Sequence, residues 1–259
     1  RILFAAAREV NENICCVSYQ HTGVFRMSNA IRNSLAPNYN PNIILTAGID
    51  GKREMELTLA LSGIPVSVLG SNRGVVNDHV EKAICSKIQC LVLPEGFYSE
   101  CLTIFDFSLS CALHIPEMEF IWRLHPSVSF ENLRKKYSQF RTLPKNIILS
   151  NATLEEDIQR CNWALYRGTT AIYKAVSAGL KPVYLKSTEK LTIDPLYKMR
   201  DWRVIVENVN DFKSAINAFL GADNEQIRAY QNESRIFCEE QFSPFNADVL
   251  NSLIISKKN

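Results

Sequence analysis

Residues suited to binding an anion are concentrated in the turn Arg167-Gly168-Thr169-Thr170, which separates an apolar segment from a helix-forming one. The first amides of a helix lack intrahelical partners and carry the positive end of the helix dipole, so such a turn attracts phosphate oxygens. Gly168 would let a phosphate approach the backbone, and the two threonines can cap the helix or donate hydroxyl hydrogen bonds. The turn predicts a phosphate-binding loop, with an ordinary helix-capping turn as the alternative.

Two further polar pairs, Glu95-Gly96 and His125-Pro126, also follow apolar segments. Histidine titrates near neutral pH, so His125 can donate a hydrogen bond to an anion or supply a proton. The alternative for His125 is a residue that only closes a strand exit. Glu95 can accept hydrogen bonds from base or ribose groups, or it can cap the helix that follows.

The anion-binding turn lies inside a β-turn-α-β unit, written WALYRGTTAIYKAVSAGLKPVYL from Trp163 to Leu185. The pattern predicts a strand over 163–166, a helix that opens at Thr169-Thr170, and a second strand after Pro182. This order places the turn at the carboxyl end of the first strand. Such ends are where ligands bind in open parallel sheets.

Apolar segments alternate with segments of helical spacing along the whole chain, which indicates parallel sheets. The other predicted strands cover 14–19, 42–46, 66–69, 90–93, 120–124, 147–149 and 202–206. The other predicted helices cover 1–10, 52–61, 78–87, 100–113, 130–137, a segment that begins at Thr153 with a capping box to Glu156, 209–220, 224–240 and 246–255. Because parallel strands end at one edge of a sheet, we expect the three polar loops to converge there.

A turn-rich segment, Gly70–Asn77, divides the chain into residues 1–76 and 77–259. The predicted fold class is α/β, with one Rossmann-like domain in each part. About 75 residues are few for a complete domain of this kind, so we expect the N-terminal domain to be partial.

Composition limits the class of protein. A chain of 259 residues with 46% hydrophobic and 22% charged residues can bury one large core or two modest ones, and its net charge of +2 is too small to indicate nucleic-acid binding. Eight cysteines without CxxC pairs, and four histidines that lack ligand spacing beside them, predict buried free thiols, no metal site and no cofactor. With no membrane-spanning apolar run and no signal-peptide pattern, the sequence predicts a cytoplasmic protein.

Three segments, YQHTG (Tyr19–Gly23), RLHP (Arg123–Pro126) and RGTTAIYKAVSAGLKPVYL (Arg167–Leu185), resemble in their order bacterial GT-B glycosyltransferases that build surface polysaccharides. The most similar groups are the capsule Kdo-transferases, the sialyltransferases and the CDP-glycerol glycerophosphotransferases. The resemblance extends from about residue 14 to residue 220. It implies metal-independent transfer of a sugar from a nucleotide-activated donor, with cytidine as the expected nucleotide, to a glycan acceptor. Peripheral association with the inner membrane or with a polysaccharide assembly complex is a further expectation.

The resemblance also implies roles for individual residues. His125 would bind the donor phosphate and stabilise the departing nucleotide, because fixed hydrogen-bond donors lower the barrier where negative charge develops. Thr169 and Thr170 would hold the same phosphate, and His21 matches a histidine at the cleft edge of the N-terminal domain, which makes it a candidate catalytic residue. The remaining residues of the expected donor site are Glu95, Gly96, Arg123, Pro126, Arg167 and Gly168. For the two arginines, a surface ion pair is the alternative role.

Two residues depart from the family pattern. Thr22 stands where the family has the glycine after QH, and Lys174 occupies a position where many GT-B enzymes carry a glutamate that contacts the donor. Lys174 can pair with a carboxylated sugar or lie on the helix surface. His79 and His114 match no motif, and we expect structural roles for both.

Other functions fit the same motifs. One is transfer of a polyol phosphate from a CDP-linked donor, and another is a non-catalytic nucleotide-sugar-binding or scaffold domain. A nucleotide-sugar 2-epimerase, which shares the fold, ranks below these.

Overall fold

The computed structural model describes residues 1–24, 32–73, 88–187 and 193–255. Its helices are α1 (Ile2–Val10), α2 (Ile49–Glu56), α3 (Tyr98–His114), α4 (Phe130–Lys136), α5 (Leu154–Arg160), α6 (Ala171–Ser177), α7 (Val209–Leu220), α8 (Asn224–Gln241) and α9 (Ala247–Ile255). Its strands are β1 (Val17–Gln20), β2 (Ile43–Thr46), β3 (Val66–Val68), β4 (Gln89–Leu93), β5 (Glu119–Trp122), β6 (Ile147–Leu149), β7 (Trp163–Tyr166), β8 (Lys181–Leu185) and β9 (Val204–Val206). The helix predicted over 78–87 lies outside the described residues.

Two compact units divide the chain. One comprises residues 1–76 together with 237–259, and the other comprises residues 77–236. The closing segment therefore groups with the first unit, whereas the sequence assigned it to the second domain. The reason lies in packing, because apolar side chains of α9 contact the first unit's sheet.

The first unit contains a parallel sheet in the order β1-β2-β3. Successive side chains of a strand point to opposite faces. Ile43 and Leu45 accordingly pack with Leu69 against Val249 and Leu253 of α9. On the other face, Ile44 of β2 clusters with Met55 of α2 and with Val24, Leu61, Ile64 and Val66.

The second unit contains a six-stranded parallel sheet in the order β6-β5-β4-β7-β8-β9. The chain builds outward from β4 to β6 on one side and then from β7 to β9 on the other. Its direction therefore reverses between β4 and β7, and such a switch point leaves a crevice at the carboxyl ends of the two strands. Cys90, Leu91 and Val92 of β4 are fully buried, as expected for a parallel strand covered on both faces.

Most element boundaries agree with the sequence pattern, and the main difference concerns α2. The helix ends at Glu56, and Leu59–Leu61 forms a separate 3₁₀ helix. Thr58 has extended backbone angles, and its hydroxyl donates to the carbonyl of Glu54 at 2.8 Å. This side-chain bond competes with continued helix formation. Over the described ranges, no helix combines the length and apolar character needed to cross a bilayer.

Candidate functional site

The three polar loops follow three neighbouring strands, β5, β4 and β7, of the second unit. These strands are parallel, so their carboxyl ends lie at one edge of the sheet. The β4–β7 boundary is also the switch point, where open α/β sheets bind their ligands. We call the set Glu95-Gly96, His125-Pro126-Ser127 and Gly168-Thr169-Thr170 the rim.

The exit loops of β4 and β7 contact each other at Gly168. A Cβ atom at this position would lie 2.6 Å from Cδ of Glu95 and 2.7 Å from Cδ1 of Ile193. Real Cβ atoms do not approach other heavy atoms below 3.0 Å. Gly168 therefore leaves room for the ends of the Glu95 and Ile193 side chains, and this brings the Glu95 carboxyl group beside the turn.

The exit loops of β4 and β5 meet around His125. A Cβ atom on Gly96 would lie 3.0 Å from both Cε1 and Nδ1 of the imidazole. The Ser127 hydroxyl lies 2.8 Å from Nδ1 and donates to the Gly96 carbonyl at 3.1 Å. The Ser127 backbone N–H donates to Nδ1 at 3.2 Å. Ser127 therefore engages Nδ1, and Nε2 is the ring nitrogen that it leaves free.

His125, Pro126 and Ser127 are exposed, so the imidazole is accessible from solvent. Ser127 was not among the residues singled out from the sequence. A short polar residue two positions after a histidine could have indicated it, because such hydroxyls commonly bond back to the preceding turn. Ser127 connects two loops of the rim and holds the ring of His125.

Thr169 and Thr170 are half-buried at the start of α6, which begins at Ala171. Thr170 is the N-cap residue, yet its side chain makes no capping hydrogen bond. Thr169 Oγ1 accepts from the Ala171 backbone N–H at 3.4 Å, which is a long bond. Simple helix capping therefore does not account for the Thr170 hydroxyl.

Arg123 was expected at the donor phosphate, but the structure engages it elsewhere. Its Nη1 donates to the Ala152 carbonyl at 2.5 Å and to Oδ2 of the buried Asp157 at 3.0 Å. Asp157 also accepts from Ser150 and Arg160. Removal of one partner from such a buried network is costly, so Arg123 has a structural ion-pair role.

Arg167 also forms an ion pair within the protein. The alternative expected from the sequence was a surface ion pair, but the arginine of this pair is buried. The side chain is only 2% exposed. Its Nε donates to Oε2 of Glu100 at 2.7 Å, and Nη1 donates to the Leu185 carbonyl at 2.9 Å. Arg167 therefore connects the turn before Gly168 to α3 and β8, which is the role of a positioning residue.

A buried carboxylate anchors the segment that packs on Gly168. Asp194, next to Ile193, accepts from the Tyr166 hydroxyl at 2.8 Å and pairs with Arg203. Burial raises the pKa of Asp194, and the Arg203 guanidinium opposes this shift. No sequence pattern indicated this pair, because both residues lie outside the regular helices and strands.

Cys101, in the first turns of α3, donates its Sγ–H to the Glu95 carbonyl at 3.2 Å. Burial raises the pKa of its thiol to about 12, and the charges of Glu95 and Glu100 add to this effect. The thiol is therefore protonated at neutral pH and is not a nucleophile. Cys101 is a buried free thiol as predicted, and so are Cys16, Cys90, Cys111, Cys161 and Cys238. Cys15 is free but only half-buried, and Cys85 lies outside the described residues.

His21 belongs to the first unit, where it follows β1 and is exposed. Its ring centroid lies 6.4 Å from that of Tyr19, and the two planes are tilted by 49°. The side-chain amide of Gln20 donates to the carbonyl and hydroxyl oxygens of Thr22. Thr22, which stands at the glycine position of the family motif, therefore closes a local turn.

Lys174 lies on the exposed side of α6 and forms an ion pair with Glu155 of α5. His114 is the last residue of α3, and its Nδ1 lies 2.8 Å from the Ser110 carbonyl, in keeping with a structural role. His79 lies outside the described residues. Among residues 1–24, 32–73, 88–187 and 193–255, no group of three His, Cys, Asp or Glu side chains could hold a metal ion.

No protein-family model matches the sequence, and no curated protein matches it. Solved structures do match it in fold. The glycosyltransferase SnogD from Streptomyces nogalater is 13% identical with a TM-score of 0.51, and the match covers 82% of this chain and 56% of SnogD. The GtfA/B complex is 12% identical with a TM-score of 0.58, covering 96% of this chain and 54% of the other. A protein described as a UDP-N-acetylglucosamine 2-epimerase from Listeria monocytogenes is 12% identical with a TM-score of 0.53, covering 99% and 77%.

At this level of identity the likeness is one of fold. The chain has the α/β fold with parallel sheets of the GT-B glycosyltransferases, as the motifs indicated. It spans 55–56% of the length of three glycosyltransferases that it matches.

Proposed function

We propose that this chain binds the nucleotide-activated donor of a GT-B glycosyltransferase and takes part in metal-independent transfer of a sugar to a bacterial surface polysaccharide. The observation that carries the proposal is the interlocking of three exit loops at the switch point of the second unit's sheet. Glu95 packs on Gly168, and Ser127 connects Gly96 with His125. The cytidine nucleotide and the glycan acceptor follow from the motif resemblance and belong to the proposal.

The proposed chemistry is stabilisation of a departing nucleotide phosphate. As the bond from the anomeric carbon to the phosphate oxygen breaks, negative charge collects on the phosphate. His125 would donate through Nε2, the ring nitrogen left free by Ser127. Thr170, whose hydroxyl is not used for capping, would donate to the same group. His21 in the first unit is the candidate base for the acceptor hydroxyl.

Arg123 and Arg167 have no direct part in this proposal, because both guanidinium groups pair with carboxylates of the protein. They would instead fix the loops that carry His125 and Gly168. Pro126 and Gly96 would act by backbone geometry, and Glu95 would accept from the ribose or the base.

A non-catalytic nucleotide-sugar-binding domain is the second candidate. The observation that favours it is that both arginines expected at the phosphate site, Arg123 and Arg167, are ion-paired with carboxylates of the protein. A polyol-phosphate transferase with a CDP-linked donor remains the closest catalytic alternative, because it would use the same rim.

The first experiment is thermal unfolding with CMP, CDP and UDP. A nucleotide that binds only the folded state at a hundredfold excess over its Kd stabilises the protein by about 2.7 kcal/mol. We expect CMP or CDP to raise the Tm more than UDP. His125→Ala should abolish the rise in Tm. His114→Ala, at the carboxyl end of α3 and away from the rim, should retain it.

The second experiment is product mass analysis with CMP-linked sugars and CDP-linked polyols, which separates the catalytic alternatives. We expect His125→Ala to reduce turnover at least about a hundredfold. Nucleotide binding without turnover would select the non-catalytic candidate. Normal binding and turnover by His125→Ala would refute the role of the rim.

A further inference from the structure

A cavity of about 290 Å³ lies within the second unit, away from the rim. Lys181 and Val204, the first residues of β8 and β9, contribute to its wall, so the cavity lies at the amino ends of these strands. The rim lies at the carboxyl ends of the same sheet. The two sites are therefore at opposite edges, and the proposed donor site does not account for the cavity.

The cavity wall is largely apolar and aromatic. Trp202, Phe219 and Tyr230 contribute rings, and Ala218 lies at the exposed side of α7. The ring centroids of Trp202 and Phe219 are 5.8 Å apart at an angle of 62°, and those of Trp202 and Tyr230 are 6.2 Å apart. Aromatic rings in this arrangement suit an apolar guest.

One cation faces this apolar wall. Lys181 is 9% exposed, and its Nζ lies 4.1 Å from the centroid of the Trp202 ring. Within the described parts of the chain, no carboxylate lies at ion-pair distance from Nζ. Burial lowers the pKa of Lys181 to about 8, so the side chain is still mostly protonated at neutral pH. A buried charge without an anionic partner is costly, and an anion in the cavity would compensate it.

We propose that this cavity binds a small apolar monocarboxylate, with the carboxylate paired to Lys181 and the apolar body between the aromatic side chains. One ammonium group favours a single negative charge over a phosphate or a dicarboxylate. The volume lies just below the range of about 300–1,000 Å³ typical of ligand pockets, which suits one ring with a short chain. Lys181 is the only charged residue among the described residues that line the cavity, and the Gln226 amide donates to the Tyr230 hydroxyl at 3.2 Å.

The test compares two probes of equal size on the full chain, 3-phenylpropionate and its neutral amide. Binding is measured by calorimetry at pH 7 and by ligand-observed NMR. We expect the acid to bind about tenfold more tightly than the amide, because a charge-assisted pair adds to the apolar contact. Lys181→Met should abolish this preference. Lys213→Met, an equivalent change on the exposed side of α7, should retain it.

A second variant tests whether weaker binding comes from a change in the cavity or from unfolding of the protein. Ala218→Trp adds a large side chain at an exposed residue of the cavity wall and leaves Lys181 in place, so it should weaken binding of both probes while the Tm remains near that of the unmodified protein. CMP should not compete with the acid, since the proposed donor site lies at the other edge of the sheet. Absence of saturable binding, equal affinity for acid and amide, an acid preference that survives Lys181→Met, or competition by CMP would overturn the proposal.

Discussion

At the scale of single residues, the rim depends on side chains that are small or short. Gly168 leaves room for Glu95, and Ser127 reaches both Gly96 and His125 with one hydroxyl group. The sequence pattern identified the histidine and the glycines because strand exits and turns have recognisable residue types. It did not distinguish an arginine that binds a ligand from one that pairs inside the protein, because Asp157 and Glu100 lie far along the chain from their partners.

Ser127→Ala should weaken binding of the best nucleotide about fivefold to tenfold, because a net hydrogen bond contributes about 1 kcal/mol. Ser127→Thr, which keeps the hydroxyl group, should restore most of the affinity. Ser129→Ala is the control, since Ser129 makes no side-chain capping bond in α4. The ¹⁵N chemical shifts of the His125 ring in the same variants would report its tautomer. Unchanged affinity and ring shifts in Ser127→Ala would show that Ser127 does not position His125.

At the scale of secondary structure, α5 forms ion pairs with residues close in sequence to the rim. Its Asp157 holds Arg123, and its Glu155 pairs with Lys174 of α6. The helix begins with the capping box that the sequence predicted. Thr153 Oγ1 accepts from the Glu156 backbone N–H at 3.2 Å, and Glu156 accepts from the Thr153 backbone N–H at 2.7 Å.

Thr153→Ala should lower the free energy of unfolding by about 1 kcal/mol at pH 7, the usual effect of losing an N-cap side chain. The hydrogen bonds from Thr153 lower the pKa of Glu156 below its ordinary 4.5. The substitution removes the hydroxyl bond and keeps the backbone bond. The stabilisation from the hydroxyl bond is complete above the unfolded pKa and is lost as the pH falls through the folded one, so this part of the effect should shrink below pH 4.5. Urea unfolding from pH 3 to 7 measures this. Thr103→Ala, within α3, is the control, and an effect independent of pH would contradict the coupling.

Helices and strands were largely predictable because hydrophobic period, capping residues and glycine positions are local signals. β6, β7 and α7 have the bounds that the pattern predicts. The sheet order was not predictable at the same level, because pairing of β4 with β7 joins segments about 70 residues apart. The Asp194–Arg203 pair and the Lys181 cavity depend on tertiary packing, which no local pattern records.

At the scale of the whole molecule, the first and last parts of the chain form one unit. Gly70 has a φ of +80°, and a Cβ atom there would lie 2.5 Å from the carbonyl carbon of Pro244 and 2.9 Å from Cα of Phe245. Gly63 has a φ of +85° with nothing within 4 Å of such an atom. Both glycines have a positive φ that would strain an alanine, and they differ in their neighbours.

Gly63→Ala should therefore lower the free energy of unfolding by about 1–2 kcal/mol, the cost of a left-handed conformation for a residue with a side chain. Gly70→Ala should cost at least about 3 kcal/mol, because the overlap with backbone atoms forces a displacement in addition to the strain. Chemical unfolding and hydrogen exchange at β2 and β3 measure the difference. Equal losses in the two variants would show that residues 244 and 245 do not pack on the loop after β3.

The packing of α9 on the first sheet also has a consequence for biosynthesis. Ile43, Leu45 and Leu69 gain their cover only when Val249 and Leu253 have been made, roughly 180 residues later. At about 5–20 residues per second, the ribosome leaves this apolar surface open for about ten to forty seconds. Over that interval the nascent chain exposes an apolar surface that chaperones can bind. A chain that is released before residue 249 is made would keep this surface exposed.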